Sequence, residues 1–243
     1  MNWTDYPVFT KDNFLKDFPN EQPDAGILLV HKPVDWTSFD VVKFTRSRIN
    51  RKKVGHAGTL DPMAEGLLVL CFGRATKTID QIQSQEKEYV ARIQFGISTL
   101  SYDAETEIDE QAPYDHVERQ SIESCLHEKF HGDIAQVPPM YSALKRDGKK
   151  LYELARKGKT IEREARQITI YSTDIHSYQE GVLEMKVTCS KGTYIRSLAH
   201  DLGEALGTKA HLSGLIRTKI GTFSTTDAIT IDVIKGLNRF QDD

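Results

Sequence analysis

The stretch VGHAGTLDPMAEGLL, residues 54–68, gathers residue types that can do chemistry. Asp61 stands directly before a proline, and His56 lies five residues upstream. Gly55, Gly58 and the Asp61-Pro62 step read by themselves as a turn, because glycine permits unusual backbone angles and Asp-Pro starts turns. Met63, Ala64, Leu67, Leu68, Val69 and Leu70 then follow at once. A carboxylate on a loop leading into a buried segment is held at the edge of a core, where it can act as nucleophile or base. Turn and reactive carboxylate both remain open on these residues alone.

Three other stretches carry candidate chemistry. In CSKGTYIRSLAHDLG, residues 189–203, a polar turn precedes an amphipathic helix. Free N–H groups with Lys191 and Arg196 would make an anion site, or Arg196 would pair with a carboxylate. Residues 136–166 begin with Pro138-Pro139 and become strongly basic, with Tyr141 and Tyr152 interleaved. That mixture suits a nucleic-acid backbone and unstacked bases, or equally a solvated helix and loop. HEKFH, residues 127–131, matches the H-E-x-x-H zinc motif, in which Glu128 would be a general base. Lys129 inside the motif argues against a metal. So does the apolar stripe Ile122, Cys125, Leu126 and Phe130, which the two histidines merely flank. The other six histidines add no ligand cluster.

These side chains need elements to hold them. GILLV, residues 26–30, reads as a buried strand, and residues 37–49 as a helix with Thr37 as N-cap and Asp40 at N3. KEYVARIQFG alternates, with Tyr89, Ala91, Ile93 and Phe95 on one face. Residues 115–130 read as a helix capped by Asp115 with Glu118 three residues on. QITIYSTDI and VLEMKVTC alternate as strands, and residues 194–206 have helical spacing closed by Gly207. A short last helix starts after Thr230. Regular βαβ alternation is absent, so the expected class is α+β, with a central, mostly antiparallel mixed sheet flanked by helices. Residues 1–25 read as an irregular arm.

The chain has 243 residues and a mean hydropathy of -0.46, with no apolar run approaching a membrane span. No secretory leader is recognisable. Cys71, Cys125 and Cys189 are far apart and odd in number, which argues against a disulfide framework and for a reducing cytoplasm. The net charge of -3 hides segregation. Residues 43–53 hold six basic side chains and no acidic one, and residues 145–166 hold nine basic against four acidic. Both patches could grip phosphates or form ordinary solvated faces.

Six stretches, LLVHKPVDWTSFDVV, VGHAGTLDPMAEGLLVL, GRATK, KEYVARIQFG, QVPPMYSALKRDGKKLYELAR and CSKGTYIRSLAHDLG, stand in one order from about Gly26 to Phe223. In this the chain resembles the TruB-type tRNA pseudouridine synthases, which modify the T arm of tRNA. The resemblance implies an isomerase that needs no cofactor or metal and turns uridine 55 of the T loop into pseudouridine. It makes Asp61 the nucleophile and Arg196 its ion-pair partner. Tyr89 would stack on the flipped base and is a candidate to take its carbon proton. His56 would help displace the base, and Tyr194 and Leu215 would line the uracil pocket. The two basic patches would hold tRNA phosphates.

Residues 26–243 would form one catalytic domain, without the C-terminal PUA domain of many relatives. The implied partner is tRNA, with no membrane and no protein partner, and the chain would be a monomer. A non-catalytic tRNA-binding chaperone is the rival of another class, with a zinc peptidase on His127, Glu128 and His131 behind it. Two departures stand out. His31 and Asp35 replace an acidic residue and a glycine in the first motif. In GLIRTKIG an arginine common at Ile216 is missing and only Arg217 remains, so a phosphate contact is expected to be lost.

Overall fold

A computed structural model describes residues 1–146 and 148–237, without the side chains of residues 20, 21, 145, 146, 149 and 150. Ten strands make one mixed sheet. In chain order they are β1 (Val8–Phe9), β2 (Gly26–Lys32), β3 (Val54–His56), β4 (Ala64–Phe72), β5 (Lys87–Phe95), β6 (Gly132–Gln136), β7 (Arg166–Gln179), β8 (Val182–Cys189), β9 (Ala210–Ile220) and β10 (Phe223–Ser224). The order across the sheet is β1-β2-β4-β9-β5-β8-β7-β6, with β3 on β4 and β10 on β9. The β1–β2 pair is parallel, and β2–β4, β3–β4, β7–β8 and β6–β7 are antiparallel. This is the α+β class that the alternation predicted.

The chain divides into two compact units, Met1–Tyr89 with Ile216–Asp243, and Val90–Leu215. In the first unit β2 is buried along nearly its whole length because both faces are covered. Leu28 and Val30 pack with Phe72, Val41, Val42 and Ile234 on one side, and Ile27 and Leu29 pack with Leu67, Val69 and Ala75 on the other. A strand covered on both faces reads as a continuous apolar run, which is how GILLV reads. The helix α2 (Ser38–Arg48) begins as expected. The Thr37 hydroxyl accepts from the Asp40 N–H (3.0 Å) and the Asp40 carboxylate accepts from the Thr37 N–H (3.0 Å).

Residues 1–25 are more ordered than their composition indicated. They contain β1 and the helix α1 (Phe14–Glu21), and Phe9, Phe14 and Phe18 are all buried. These rings meet edge-on or tilted, with centroids 5.2–5.3 Å apart, and Phe18 reaches Phe72 at 5.8 Å. Tertiary burial of three phenylalanines overrides the Pro, Asp and Asn content of this segment.

In the second unit β7 and β8 form a long hairpin closed by Glu180 and Gly181, whose φ values of 50° and 75° suit a two-residue turn. The helix α4 (Arg119–Lys129) starts four residues later than Asp115, with Glu118 as its N-cap. Residues 114–117 are taken up by a turn in which the Val117 N–H bonds the Tyr114 carbonyl at 2.9 Å. The helix α6 (Ile195–Ala205) buries Ile195, Leu198, Ala199 and Leu202, and Gly207 just beyond it has φ 73°. Short helices also form at α3 (Ile79–Gln83) and α5 (Leu151–Ala155), and the helix after Thr230 is present as α7 (Ile231–Lys235).

Candidate active site

In the first unit the loop between β3 and β4 carries Asp61, and neighbouring elements pin it at successive positions. The Leu60 N–H donates to the Ser38 hydroxyl (2.8 Å), which donates back to the Leu60 carbonyl (3.1 Å). Lys32, fully buried at the end of β2, directs its ammonium at the carbonyls of Pro33 (2.9 Å), Trp36 (2.5 Å) and Pro62 (3.1 Å). The Asp35 N–H also donates to the Pro62 carbonyl (2.9 Å). Asp35 sits at φ 67°, a left-handed angle that glycine adopts more easily. The resemblance implied a glycine at this position.

Arg217 closes the loop from the other side. It is 1% exposed, and its Nε donates to the Leu67 carbonyl (2.8 Å), its Nη2 to Gly58 (3.1 Å) and its Nη1 to Thr59 (3.3 Å). Its guanidinium also bonds the Tyr89 side chain and feels the Asp61 carboxylate. Burial pulls the Arg217 pKa down, and Tyr89 and Asp61 oppose that shift. Two glycines leave room for this arrangement. A Cβ on Gly66, at φ 101°, would lie 2.4 Å from the Arg217 carbonyl oxygen, and one on Gly58, at φ 105°, would touch Nη1 at 3.5 Å.

Asp61, Tyr89 and Arg217 therefore form one constellation, with Tyr89 only 8% exposed. His56 is the third expected residue of this unit. It lies on β3, its Nδ1 is buried without a hydrogen-bond partner, and its pKa is lowered by burial and then by Arg217. A neutral imidazole and a half-buried carboxylate beside a buried cation can do acid–base or nucleophilic work without a metal ligand set.

The second unit holds Tyr194, Arg196 and Leu215. Tyr194 immediately precedes α6, and its backbone is clamped by Gln136, which accepts from the Tyr194 N–H (2.8 Å) and donates to its carbonyl (3.0 Å). Leu215 is buried near the end of this unit. Arg196 is 4% exposed; its Nε lies 3.4 Å from Asp103 Oδ2, and its Nη1 donates to the Ser101 carbonyl (3.2 Å). Asp103 is itself 1% exposed.

Lys32, Asp103 and Arg217 were not predicted for the site. Arg217 had a usable signal: the alternation of β9 puts it on the buried face with Leu215. Noted only as the arginine that remains beside Ile216, it is an internal cation. Asp103 carries no distinguishing signal in the sequence, because residues 103–128 hold nine acidic side chains and one basic. In HEKFH, α4 ends at Lys129, so His131 lies beyond it, and both histidines are exposed. No group of three or more potential metal ligands occurs among the described residues. In the basic stretch, residue 147 and the side chains of Lys145, Arg146, Lys149 and Lys150 lie outside the described residues.

Comparison with solved structures defines the fold as that of the pseudouridine synthases. A chain in a structure described as the crystal structure of a Cbf5-Nop10-Gar1 complex aligns over 97% of this chain with TM-score 0.69 and 28% identity. This chain spans 60% of that longer chain. The sequence gives the family: residues 46–195 match the TruB family pseudouridylate synthase N-terminal domain, and residues 196–243 match a tRNA pseudouridylate synthase B C-terminal domain. The chain belongs to the TruB family and is an isomerase. A tRNA pseudouridine synthase B of Phocaeicola vulgatus is 46% identical, over 86% of this chain and 91% of that protein. One of Flavobacterium johnsoniae is 43% identical, over 89% and 97%.

Proposed function

We propose that the protein isomerises uridine 55 in the T loop of tRNA to pseudouridine, with Asp61 as the nucleophile. The observation that carries the reading is the Asp61 carboxylate on a pinned loop, within electrostatic reach of the buried Arg217 guanidinium that also bonds Tyr89. The relatives named as tRNA pseudouridine synthases support tRNA as the substrate. A neighbouring fold solved as an H/ACA RNP bound to a substrate RNA containing 2'-deoxyuridine, with TM-score 0.64 and 27% identity over 86% of this chain and 52% of that one, supports an RNA substrate in general.

The bond from N1 of uracil to C1′ of ribose breaks, and a bond from C5 to C1′ forms. C5 loses its proton and N1 gains one, so atoms and electrons balance without an oxidant, reductant or donor group. A buried guanidinium favours the ionised carboxylate that this chemistry needs. Asp61 acts at C1′ by direct attack or by promoting elimination there. To Arg196, held by Asp103, the reading assigns the role of keeping the nucleophile's carboxylate ionised. A stacked uridine must first be everted, at a cost of a few kcal/mol. Tyr89, Tyr194 and Leu215 then receive the base, His56 takes part in displacing it, and the basic stretches hold phosphates. The catalytic domain is residues 26–243, with residues 1–25 packed on it through β1 and the three phenylalanines, and it acts in the reducing cytoplasm.

Tritium release from C5-labelled uridine in a defined tRNA tests the reading. The Asp61→Asn variant should release none while binding tRNA within about threefold of the parent, since only a charge is removed. Normal turnover by that variant, or no release by the parent, which is the chaperone's signature, would sink it.

A further inference from the structure

The second unit contains a ring stack that the mechanism does not use. Tyr102 and His200 lie face to face, with centroids 3.9 Å apart and planes at 9°. Their positions matter more than the contact. Tyr102 sits between Ser101 and Asp103, the two residues that bind Arg196. His200 sits one helical turn after Arg196 on α6, so both project from the same side of the helix. The turn thus grips α6 twice, through the ion pair and through the stack.

The turn is conformationally demanding. Tyr102 has φ 63°, a left-handed angle that a bulky residue avoids. Its N–H donates to the Thr99 carbonyl (3.1 Å) and its carbonyl accepts from the Leu212 N–H (3.0 Å). Asp103 is aimed by the Ser101 hydroxyl (2.6 Å) and the Glu105 N–H (3.0 Å), both donating to Oδ1, which leaves Oδ2 for Arg196. No hydrogen bond of His200 Nδ1 explains the ring's placement, since that atom is buried without a partner. Burial keeps the imidazole below its ordinary pKa, so the stacked ring is neutral.

We propose that Tyr102 and His200 are positioning residues: their stack fixes the Ser101–Asp103 turn on α6, and so sets the Arg196 guanidinium for catalysis. This rests on the role given to Arg196 above. A displacement of about 1 Å in such a group can cost on the order of a hundredfold in rate.

The test is kcat and KM for tritium release from tRNA by the full chain, with melting temperature as the folding control. Tyr102→Ala, Tyr102→Leu and His200→Ala should each lower kcat by about tenfold to a hundredfold with KM within about twofold. Tyr102→Phe, which keeps the ring, should stay close to the parent. The Tyr102→Ala/His200→Ala double variant should be no worse than either single one, because one contact is lost in each. Parental kcat in folded Tyr102→Leu or His200→Ala would overturn the proposal, as would a Tyr102→Phe defect equal to that of alanine. Arg196→Ala, run in parallel, separates the failures. If it is inactive while the stack variants turn over normally, only the stack's role is wrong. If it is active, the role of Arg196 itself is wrong, and the proposal falls with it.

Discussion

Replacing Arg217 by methionine keeps an unbranched chain as far as the Nε position and removes the guanidinium with its charge and donors. Three carbonyls, of Leu67, Gly58 and Thr59, lose their partner at 2.8, 3.1 and 3.3 Å. Only the first bond is both short and fully buried, so the three are not equal. Hydrogen bonds to charged groups contribute about 1.5–3 kcal/mol each, and stripping one side of a buried charged contact costs about 3–5 kcal/mol. The second figure is the better guide here, because the Leu67 bond dominates and Asp61 and Tyr89 lose their cation together. For a chain of this size that is a fall in melting temperature of roughly 6–20 °C. Turnover measured below the new melting point should drop by about a hundredfold or more, as when a preorganised charge is removed from a reacting centre. Arg217→Lys restores one charge without the fork and should fall between the two. The assays are thermal unfolding followed by circular dichroism and tritium release from C5-labelled tRNA. A methionine variant that melts within about 2 °C of the parent and turns over at the parental rate would refute the assignment of Arg217 as the internal cation of the site.

Gly66→Ala combines a left-handed φ of 101° with a Cβ 2.4 Å from the Arg217 carbonyl oxygen. It should cost about 3 kcal/mol or more and be visible as a lower denaturant midpoint at unchanged slope; a neutral result would mean the backbones separate freely. Asp201, half-buried on α6, has its pKa raised to about 6 by burial and by Glu204. The native state then holds the proton more tightly than the unfolded chain, whose value is 3.8. Stability from this group is present at low pH and lost as pH rises through about 6. Asp201→Asn should therefore flatten the stability profile between pH ~4 and ~6 and raise stability at pH ~7, and an unchanged profile would contradict it. tRNA affinity should fall steeply with salt if the basic stretches hold phosphates, and a flat dependence would remove them from the interface.

Local signals in this chain were decisive where the structure-forming interaction is itself local. Thr37 and Asp40 lie three residues apart and cap α2 as their spacing implied, and Thr230 precedes its helix in the same way. The alternation of residues 87–95 and 182–189 described half-buried strands, and the motif order named the family. The start of α4 was misread because Asp115 and Glu118 have the right spacing for a cap, but the turn at Tyr114–Val117 competes for the same residues. The arm at residues 1–25 was misread because its polar composition says nothing of where three phenylalanines dock.

By itself, then, the sequence determined that Asp61 stands in a turn backed by apolar chain, that the sheet is mostly antiparallel, and which family the chain joins. Only tertiary structure decided what surrounds that carboxylate. Arg217 reaches carbonyls 150 or more residues away, and Lys32 reaches Pro62 thirty residues on. Asp103 meets Arg196 across more than ninety residues of chain. Periodicity fixes which face a side chain takes, but the identity of its partner depends on which strands become neighbours. Burial then decides whether an arginine is a surface grip or the charge at the centre of a site.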